Sequence, residues 1–409
     1  MFEIYKQNKN IFKEIVSLSN LEKAYLDIVE KFEKESKSFR YRGCDGTRLN
    51  EIDSNSKKII KEIRKELLEF KTLQPAYKTL IPKKNGKKRG VYVYSVKDRI
   101  KAEAIYRVLI PLFDEYFSPF LFSYRSSHPS HYAARSAVRR YKRYYGENFV
   151  LVADISSYSE TINHNILIEK LKKVGLDTET IKLLKLFIKT KVLEDGEIVN
   201  REAGFLTGTP LYALLSNFYM DEFDKVAGKY VSFYRRVGDD VIAMDKSKEK
   251  IEKLQNTLLE TTKKLKIKLN NEKGSLVKDT EEFKFLGYRF KNKKISFDNS
   301  SKNKIISAWK SSMIPNKKIK ESDKKKKIKK ILYSKNENIK NQFKQIIHQK
   351  KLVDDHEQIK EISDEFFNIV TKYLKNSRIP KSRRLSKENI KNLKIKSLYN
   401  YYKEINKYE

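Results

Sequence analysis

Between Ile11 and Ile28, apolar residues recur at helical spacing (Ile11, Phe12, Ile15, Val16, Leu21, Ala24, Tyr25, Ile28) with charged positions between them, which predicts one or two amphipathic helices over residues 1–40. From Arg42 the texture changes. RGCDGT is rich in turn residues, residues 57–70 are helical in period, and IPKKNGKKRGVYVYS reads as strand, basic Asn-Gly turn and second strand, a hairpin able to lie over a phosphate backbone. KDRIKAEAIYRVLIPLFDEYF predicts a helix. The aromatic, serine-rich FSPFLFSYRSSHPS and a further helix through Tyr145 follow it. The apolar run FVLVADI predicts a buried strand that ends in a carboxylate. Helical spacing returns in NHNILIEKLKKVG, TETIKLLKLFIKTKVL and LSNFYMDEFDKVA, whereas SFYRRVGDDVIAMD reads as strand, tight turn, strand. A helix from Ser247, a good N-cap, to Leu265 precedes two stretches of strand character, LKIKLNNEKGSL and EFKFLGYRF. Helices and strands interleave along the chain, so the expected fold class is α+β.

Composition adds a partner to this picture. The chain has 409 residues, enough for two or three packed units, and carries 89 Lys+Arg against 53 Asp+Glu, a formal charge of +36 that points to a polyanion. An AT-rich genome would also raise the Lys and Asn content, but it does not explain where the charge sits. Residues 301–409 hold 30 Lys+Arg and 12 Asp+Glu, half of the net charge in about a quarter of the length. The glycines stop at Gly287, and the tail beyond residue 291 is Lys-, Asn- and Ile-rich with helical spacing. Within it KKKKIKK (324–330) reads equally as a solvated helix face or a linker. The single cysteine, Cys44, excludes an intrachain disulfide and, with five scattered His, leaves no Cys/His metal cluster. No signal pattern and no run of about 18 apolar residues occurs, so the expectation is a cytoplasmic protein with no membrane partner.

The candidate chemistry is carried by acids. Two-metal phosphoryl transfer needs carboxylates that hold two divalent ions ~4 Å apart, and hard Mg2+ prefers oxygen ligands. Asp154 ends the strand FVLVADI, and Asp239 with Asp240 occupies the turn of YRRVGDDVIAM. If those strands are neighbours in one sheet, the three carboxylates converge. An Asp-Asp pair beside a glycine is most often only a turn. The ordered series of motifs around it is what changes that assessment.

That series resembles the bacterial reverse transcriptases of the group II intron, retron and defence-associated or abortive-infection lineages, over roughly residues 41–290. RGCDGT resembles the opening G-x-D-G-x element, TLIPKKNGKKRGVYVYSVKDRIKAEAI the I-P-K-x-N-G-K-K-R segment, and FSPFLFSYRSSHPSHYAA the segment containing F-S-P and S-Y-x-F-R. VADISSYSETINH resembles D-I-K-x-F-F-D-x-I-D-H, RRVGDDVIA stands in the place of R-Y-A-D-D, LNNEKGSL in that of L-N-x-x-K-T, and FKFLGY in that of F-L-G-F. Each motif is weak alone; seven in order are strong. The resemblance implies a right-hand polymerase: an N-terminal helical extension (1–40), fingers and palm (41–290) and a basic helical thumb (291–409). It implies Asp154, Asp239 and Asp240 as catalytic metal ligands, with the carbonyl of Ile155 as a further ligand and Mg2+ or Mn2+ as the cofactor. It places Arg89, Arg125, Tyr158, Ser159, Leu211 and Lys273 at the nucleotide. The implied partners are an RNA template or associated non-coding RNA, a DNA product and deoxynucleoside triphosphates, with a homo-oligomer or second protein left open.

Three departures from the family pattern stand out. Val237 and Gly238 replace the residues before the acidic pair, Ser159 with Tyr158 before it stands where a bulky aromatic excludes a ribose 2′-hydroxyl, and Leu211 and Tyr212 replace Gln and Gly in the template-facing G-x-P-Q-G segment. These departures bear on sugar and template selection. Some abortive-infection relatives are thought to prime on a protein hydroxyl, and SLYNYYKEINKYE offers Tyr399, Tyr401, Tyr402 and Tyr408, although a packed aromatic helix face explains the same spacing. The region after residue 291 shows no H-N-H nuclease pattern. Antiviral defence is therefore the preferred setting by family analogy, with a template-independent or protein-primed polymerase and a non-catalytic, maturase-like RNA-binding protein as the alternatives.

Overall fold

A computed structural model describes residues 10–34, 42–53, 55–82, 88–270, 275–313 and 352–362, with a few further positions up to 368. The basic run 324–330, Lys273, the expected Asn-Gly turn at 85–86 and the four C-terminal tyrosines lie outside the described residues.

The described residues open with α1 (Ile11–Ile15) and α2 (Leu18–Lys34), two amphipathic helices as expected. The Asn10 side chain caps α1 by accepting from the Lys13 N–H at 2.9 Å. Leu21, Ala24, Tyr25, Ile28 and Phe32 form the buried stripe of α2. After α3 (Leu49–Asp53) and α4 (Ser56–Leu68) comes the expected hairpin, β1 (Ala76–Pro82) and β2 (Lys88–Val93), antiparallel with Tyr77 opposite Val93. Ser95 caps the long α5 (Val96–Tyr116), which buries Ile100, Ala104, Ile105, Leu109 and Phe113. Asn20 of α2 donates to the Ala104 carbonyl of α5 at 3.0 Å, which fixes those two helices side by side. Next are α6 (Ser130–Arg143), β3 (Phe149–Ser156), α7 (Tyr158–Thr161), α8 (His164–Lys173) and α9 (Thr178–Ile188).

Here the structure corrects the pattern. TETIKLLKLFIKTKVL is helical only to Ile188; Val192 onward forms β4 (Val192–Glu194), which pairs parallel with β1 and turns back as β5 (Glu197–Val199). Thr190 ends the helix by donating to the Leu186 and Phe187 carbonyls, and Asp195 and Gly196 both take positive φ in the tight turn between β4 and β5. LSNFYMDEFDKVA likewise divides into α10 (Pro210–Tyr219) and α11 (Asp221–Tyr230), separated at Met220.

The hairpin β6 (Phe233–Val237) and β7 (Asp240–Asp245) follows, then α12 (Lys248–Lys264), whose N-cap Ser247 accepts from the Lys250 N–H. β8 (Lys268–Leu269) and β9 (Ser275–Lys278) lead to β10 (Phe283–Phe285), β11 (Tyr288–Lys291), β12 (Lys294–Phe297) and α13 (Asn299–Met313). The strand β12 falls where only helix was expected. It completes a three-stranded antiparallel sheet because Leu286 and Gly287, both at positive φ, fold β11 onto β10, and Asn292 and Lys293 do the same for β12.

The chain falls into two compact units, Met1–Ala133 with Val150–Leu276, and Ala134–Phe149 with Val277–Glu409. In the first, the strand order β6-β7-β3-β8 sets the central β3 beside β7, and a second sheet has the order β2-β1-β4-β5. In the second, Tyr141 packs edge-on against Phe283 and Phe290, which stack on each other at 4.6 Å. Asp279 there accepts the backbone N–H groups of Gly146 and Asn148.

Candidate active site

Because β3 and β7 are neighbours, the acids at their ends meet: Asp154, Asp239 and Asp240 each offer a carboxylate oxygen, and these oxygens all lie within 4.8 Å of one another. Asp154 and Asp240 are half-buried and Asp239 is exposed. The β6–β7 register pairs Val237 with Asp240, leaving Gly238 and Asp239 as a two-residue turn. Gly238 has φ 64° at the first turn position, the place a primed hairpin turn reserves for glycine. The Ile155 N–H donates to the Asp239 carbonyl at 3.2 Å. A strand residue projects its N–H and C=O to the same edge, so the Ile155 carbonyl also faces that turn. On the other edge, Asn270 donates its backbone N–H to the Asp154 carbonyl at 2.8 Å and its side-chain amide to Asp154 Oδ2 at 3.1 Å. Three carboxylates and a nearby carbonyl form an all-oxygen donor set suited to a hard divalent cation.

Beside the turn lies a fully buried ion pair. Arg236 Nε and Nη2 donate to the two Asp224 oxygens at 2.7 and 2.6 Å, Nη2 also to the Asn217 carbonyl at 3.0 Å, and Nη1 to the Gly238 carbonyl at 2.8 Å. The Tyr234 hydroxyl donates to Asp224 Oδ1, and burial raises its pKa well above the usual phenol range. The backbone of Arg236 accepts from Phe122 N–H and donates to the Phe120 carbonyl, so the aromatic FSPFLFS segment is laid along β6. Asn217 holds the same segment by exchanging hydrogen bonds with Ser123.

The residues expected at the nucleotide fare differently. Arg125 is not presented to a ligand: its side chain is 3% exposed, and its donors go to Asp114 and to the Ser118 and Leu121 carbonyls. Leu211 is fully buried in α10 and belongs to the core, because the helical register turns it inward from the Pro210 start. Tyr158 is 4% exposed, and its hydroxyl donates to the Ser216 carbonyl at 2.5 Å; burial holds its pKa far above the ordinary value. Ser159 is half-buried, and its carbonyl accepts from Phe205 N–H at 2.8 Å. Arg89 lies in β2 opposite Ile81, with its side chain outside the described residues. Tyr212, in contrast, lines a cleft of about 950 Å³ with Phe32, Tyr92, Arg99, Tyr124 and Thr209.

Asp224, Arg236, Asn217 and Asn270 are the residues that reading the sequence passed over. Arg236 and Asn270 stood inside quoted motifs, but Asp224 and Asn217 sit on helices whose relation to the turn appears only in three dimensions.

The sequence profile of the family described as reverse transcriptase (RNA-dependent DNA polymerase) matches residues 81–290, slightly more than half of the chain. The chain is similar to protein YkfC of Escherichia coli, with 25% identity over 301 residues that cover 63% of this chain and 78% of YkfC. It is also similar to the group II intron-encoded protein LtrA of Lactococcus lactis, with 27% identity over 153 residues, 37% of this chain and 25% of LtrA. Among solved structures it is similar to telomerase from Candida albicans in complex with a telomeric RNA fragment, at 12% identity and a TM-score of 0.46, covering 83% of this chain and 66% of that one, a likeness too remote to carry an argument. No helix among the described residues is long and apolar enough to cross a membrane. By the profile match over half its length, the chain belongs to the reverse transcriptase family, nucleotidyltransferases of the RNA-directed DNA polymerase class.

Proposed function

We propose that this protein copies an RNA template into DNA by nucleotidyl transfer at the trio Asp154, Asp239 and Asp240. The observation that carries the reading is the convergence of those carboxylates, one from β3 and two from the β6–β7 hairpin, to within 4.8 Å. The primer 3′-hydroxyl oxygen forms a bond to the α-phosphorus of a deoxynucleoside triphosphate, the bond to the bridging oxygen breaks, pyrophosphate leaves, and the hydroxyl proton passes to solvent. Two Mg2+ ions, when bound, lower the pKa of the attacking hydroxyl and neutralise charge on the leaving oxygen. Asp154, Asp239 and Asp240 would hold them with the Ile155 carbonyl, Mn2+ serving in their place. Asn270 orients the Asp154 carboxylate through the bond at 3.1 Å. The surplus of +36 favours a nucleic-acid backbone as the partner.

Extension of a labelled DNA primer on an RNA template tests this. Wild type should add nucleotides in Mg2+, and Asp239→Asn should lose at least a hundredfold in rate. Equal rates for both, or none for either, would favour the non-catalytic RNA-binding alternative.

A second reading, synthesis with little or no template guidance, is favoured by one observation: Leu211, standing where the family places its template-facing Gln, is 0% exposed. Sequencing the products separates the two, because a templated copy matches the supplied RNA and an untemplated one does not. Antiviral defence with an associated non-coding RNA is the setting we infer from the lineage resembled. Phage plating equally well on cells carrying wild type and Asp239→Asn would refute it.

A further inference from the structure

We infer that Arg236, locked by Asp224, is a positioning residue that fixes the Gly238–Asp239 turn and through it the place of the Asp239 carboxylate. The metal-binding part of this inference rests on the reading of the trio given above; the part that concerns the turn does not.

A buried ion pair is weak evidence for stability, since a well-packed apolar pair of similar volume often serves as well. What an apolar pair cannot supply is a donor at a fixed point beneath a backbone carbonyl. Asp224 grips the guanidinium through Nε and Nη2, which sets the plane of the fork, and the free edge of that plane directs Nη1 to the Gly238 carbonyl at 2.8 Å. Both partners are 0% exposed, so the fork is neither hydrated nor screened.

The turn needs such a hold. Gly238 is at φ 64° and brings no side chain of its own to pack; a Cβ added there would meet nothing within 4 Å among the described residues. Two bonds hold the backbone here: Ile155 N–H on the Asp239 carbonyl and Arg236 on the Gly238 carbonyl. Successive carbonyls held from two directions fix both peptide planes that flank Asp239. They therefore fix where its carboxylate stands relative to Asp154.

The test uses the full chain and two variants. The double variant Asp224→Leu with Arg236→Met removes both charges and the donor; Arg236→Lys keeps the charge beside Asp224 but cannot form the two-armed fork that also reaches Gly238. Hydrogen exchange of the peptide spanning residues 236–241 reads the turn directly, and Mn2+ binding followed by electron paramagnetic resonance reads the carboxylates without catalysis. Both variants are expected to remain folded, with turn exchange at least tenfold faster, exchange in α2 and α9, which do not touch the turn, unchanged, and Mn2+ affinity at least tenfold weaker. Wild-type exchange and Mn2+ affinity in a folded variant would overturn the inference, as would exchange that rises equally throughout the sheet. If the double variant does not fold, Arg236→Lys decides by the same criteria. Should Asp239→Asn bind Mn2+ as wild type does while the arginine variants still loosen the turn alone, the metal reading falls and the positioning role stands.

Discussion

Replacing Gly208 by alanine isolates how closely the β1–β2 hairpin and the start of α10 are fitted together. Gly208 has φ 116°, a region that L-residues rarely enter, and a Cβ at this position would lie 2.5 Å from the Tyr92 carbonyl oxygen. The conformational strain costs about 1–3 kcal/mol. The contact is with backbone in a paired strand, which cannot swing away as a side chain would, so overpacking adds about 1–3 kcal/mol. The total of about 2–6 kcal/mol corresponds, at roughly 2–4 °C per kcal/mol for a unit of this size, to a fall in Tm of at least about 4 °C. Gly196→Ala is the matched control: φ there is 90°, but nothing lies within 4 Å of the added carbon, so it carries the conformational cost alone. Differential scanning fluorimetry of wild type and both variants gives the comparison. A Gly208→Ala protein with the Tm of wild type, or no less stable than Gly196→Ala, would refute the reasoning and show that β2 and the loop before α10 yield readily.

Other consequences are measurable in the same preparations. Tyr158→Phe removes the donor to the buried Ser216 carbonyl and should lower stability by about 1–2 kcal/mol in urea unfolding. The Tyr158 ring is committed to the core, so if Ser159 stands at the sugar position, as the family resemblance implies, no aromatic gate is left there and primer extension should accept ribonucleotides; strict deoxynucleotide use would count against this. Burial pushes the Asp114 carboxyl up, but hydrogen bonds from Arg125 and Ser127 outweigh it and hold the pKa below the usual range; burial likewise acts on Asp245 and is outweighed by the Ser247 and Ser232 N–H groups. Both carboxylates thus contribute stability that is fully present above the unfolded value of about 4 and lost as pH falls through the lower folded values. Acid unfolding curves of Asp245→Asn should accordingly be flatter below that pH than those of wild type. Affinity for a primer–template should fall on the order of a thousandfold between 50 and 200 mM salt if about six phosphates are neutralised, which a fluorescence anisotropy titration would show.

Much of this molecule was legible along the chain, because the signals were local. The apolar stripe of α2, the antiparallel pair β1 and β2, the N-cap at Ser247 and the acid at the end of β3 each depend on residues a few positions apart, and the ordered motifs around Asp154, Asp239 and Asp240 marked the family. What the sequence could not settle was decided by partners distant in the chain. The segment after Ile188 has helical spacing, yet it becomes strand because β1 offers an edge to Val192. Leu211 and Arg125 occupy positions of functional resemblance, yet one is turned into the core by the register of α10 and the other is drawn to Asp114. Asp224 gives no sign in the sequence of its bond to Arg236, since a buried charge is recognised only once its counter-charge is seen beside it. The sequence by itself determined which acids are present and on which kinds of element they ride. Only the tertiary structure, by making β3 and β7 neighbours, brought them within reach of one another.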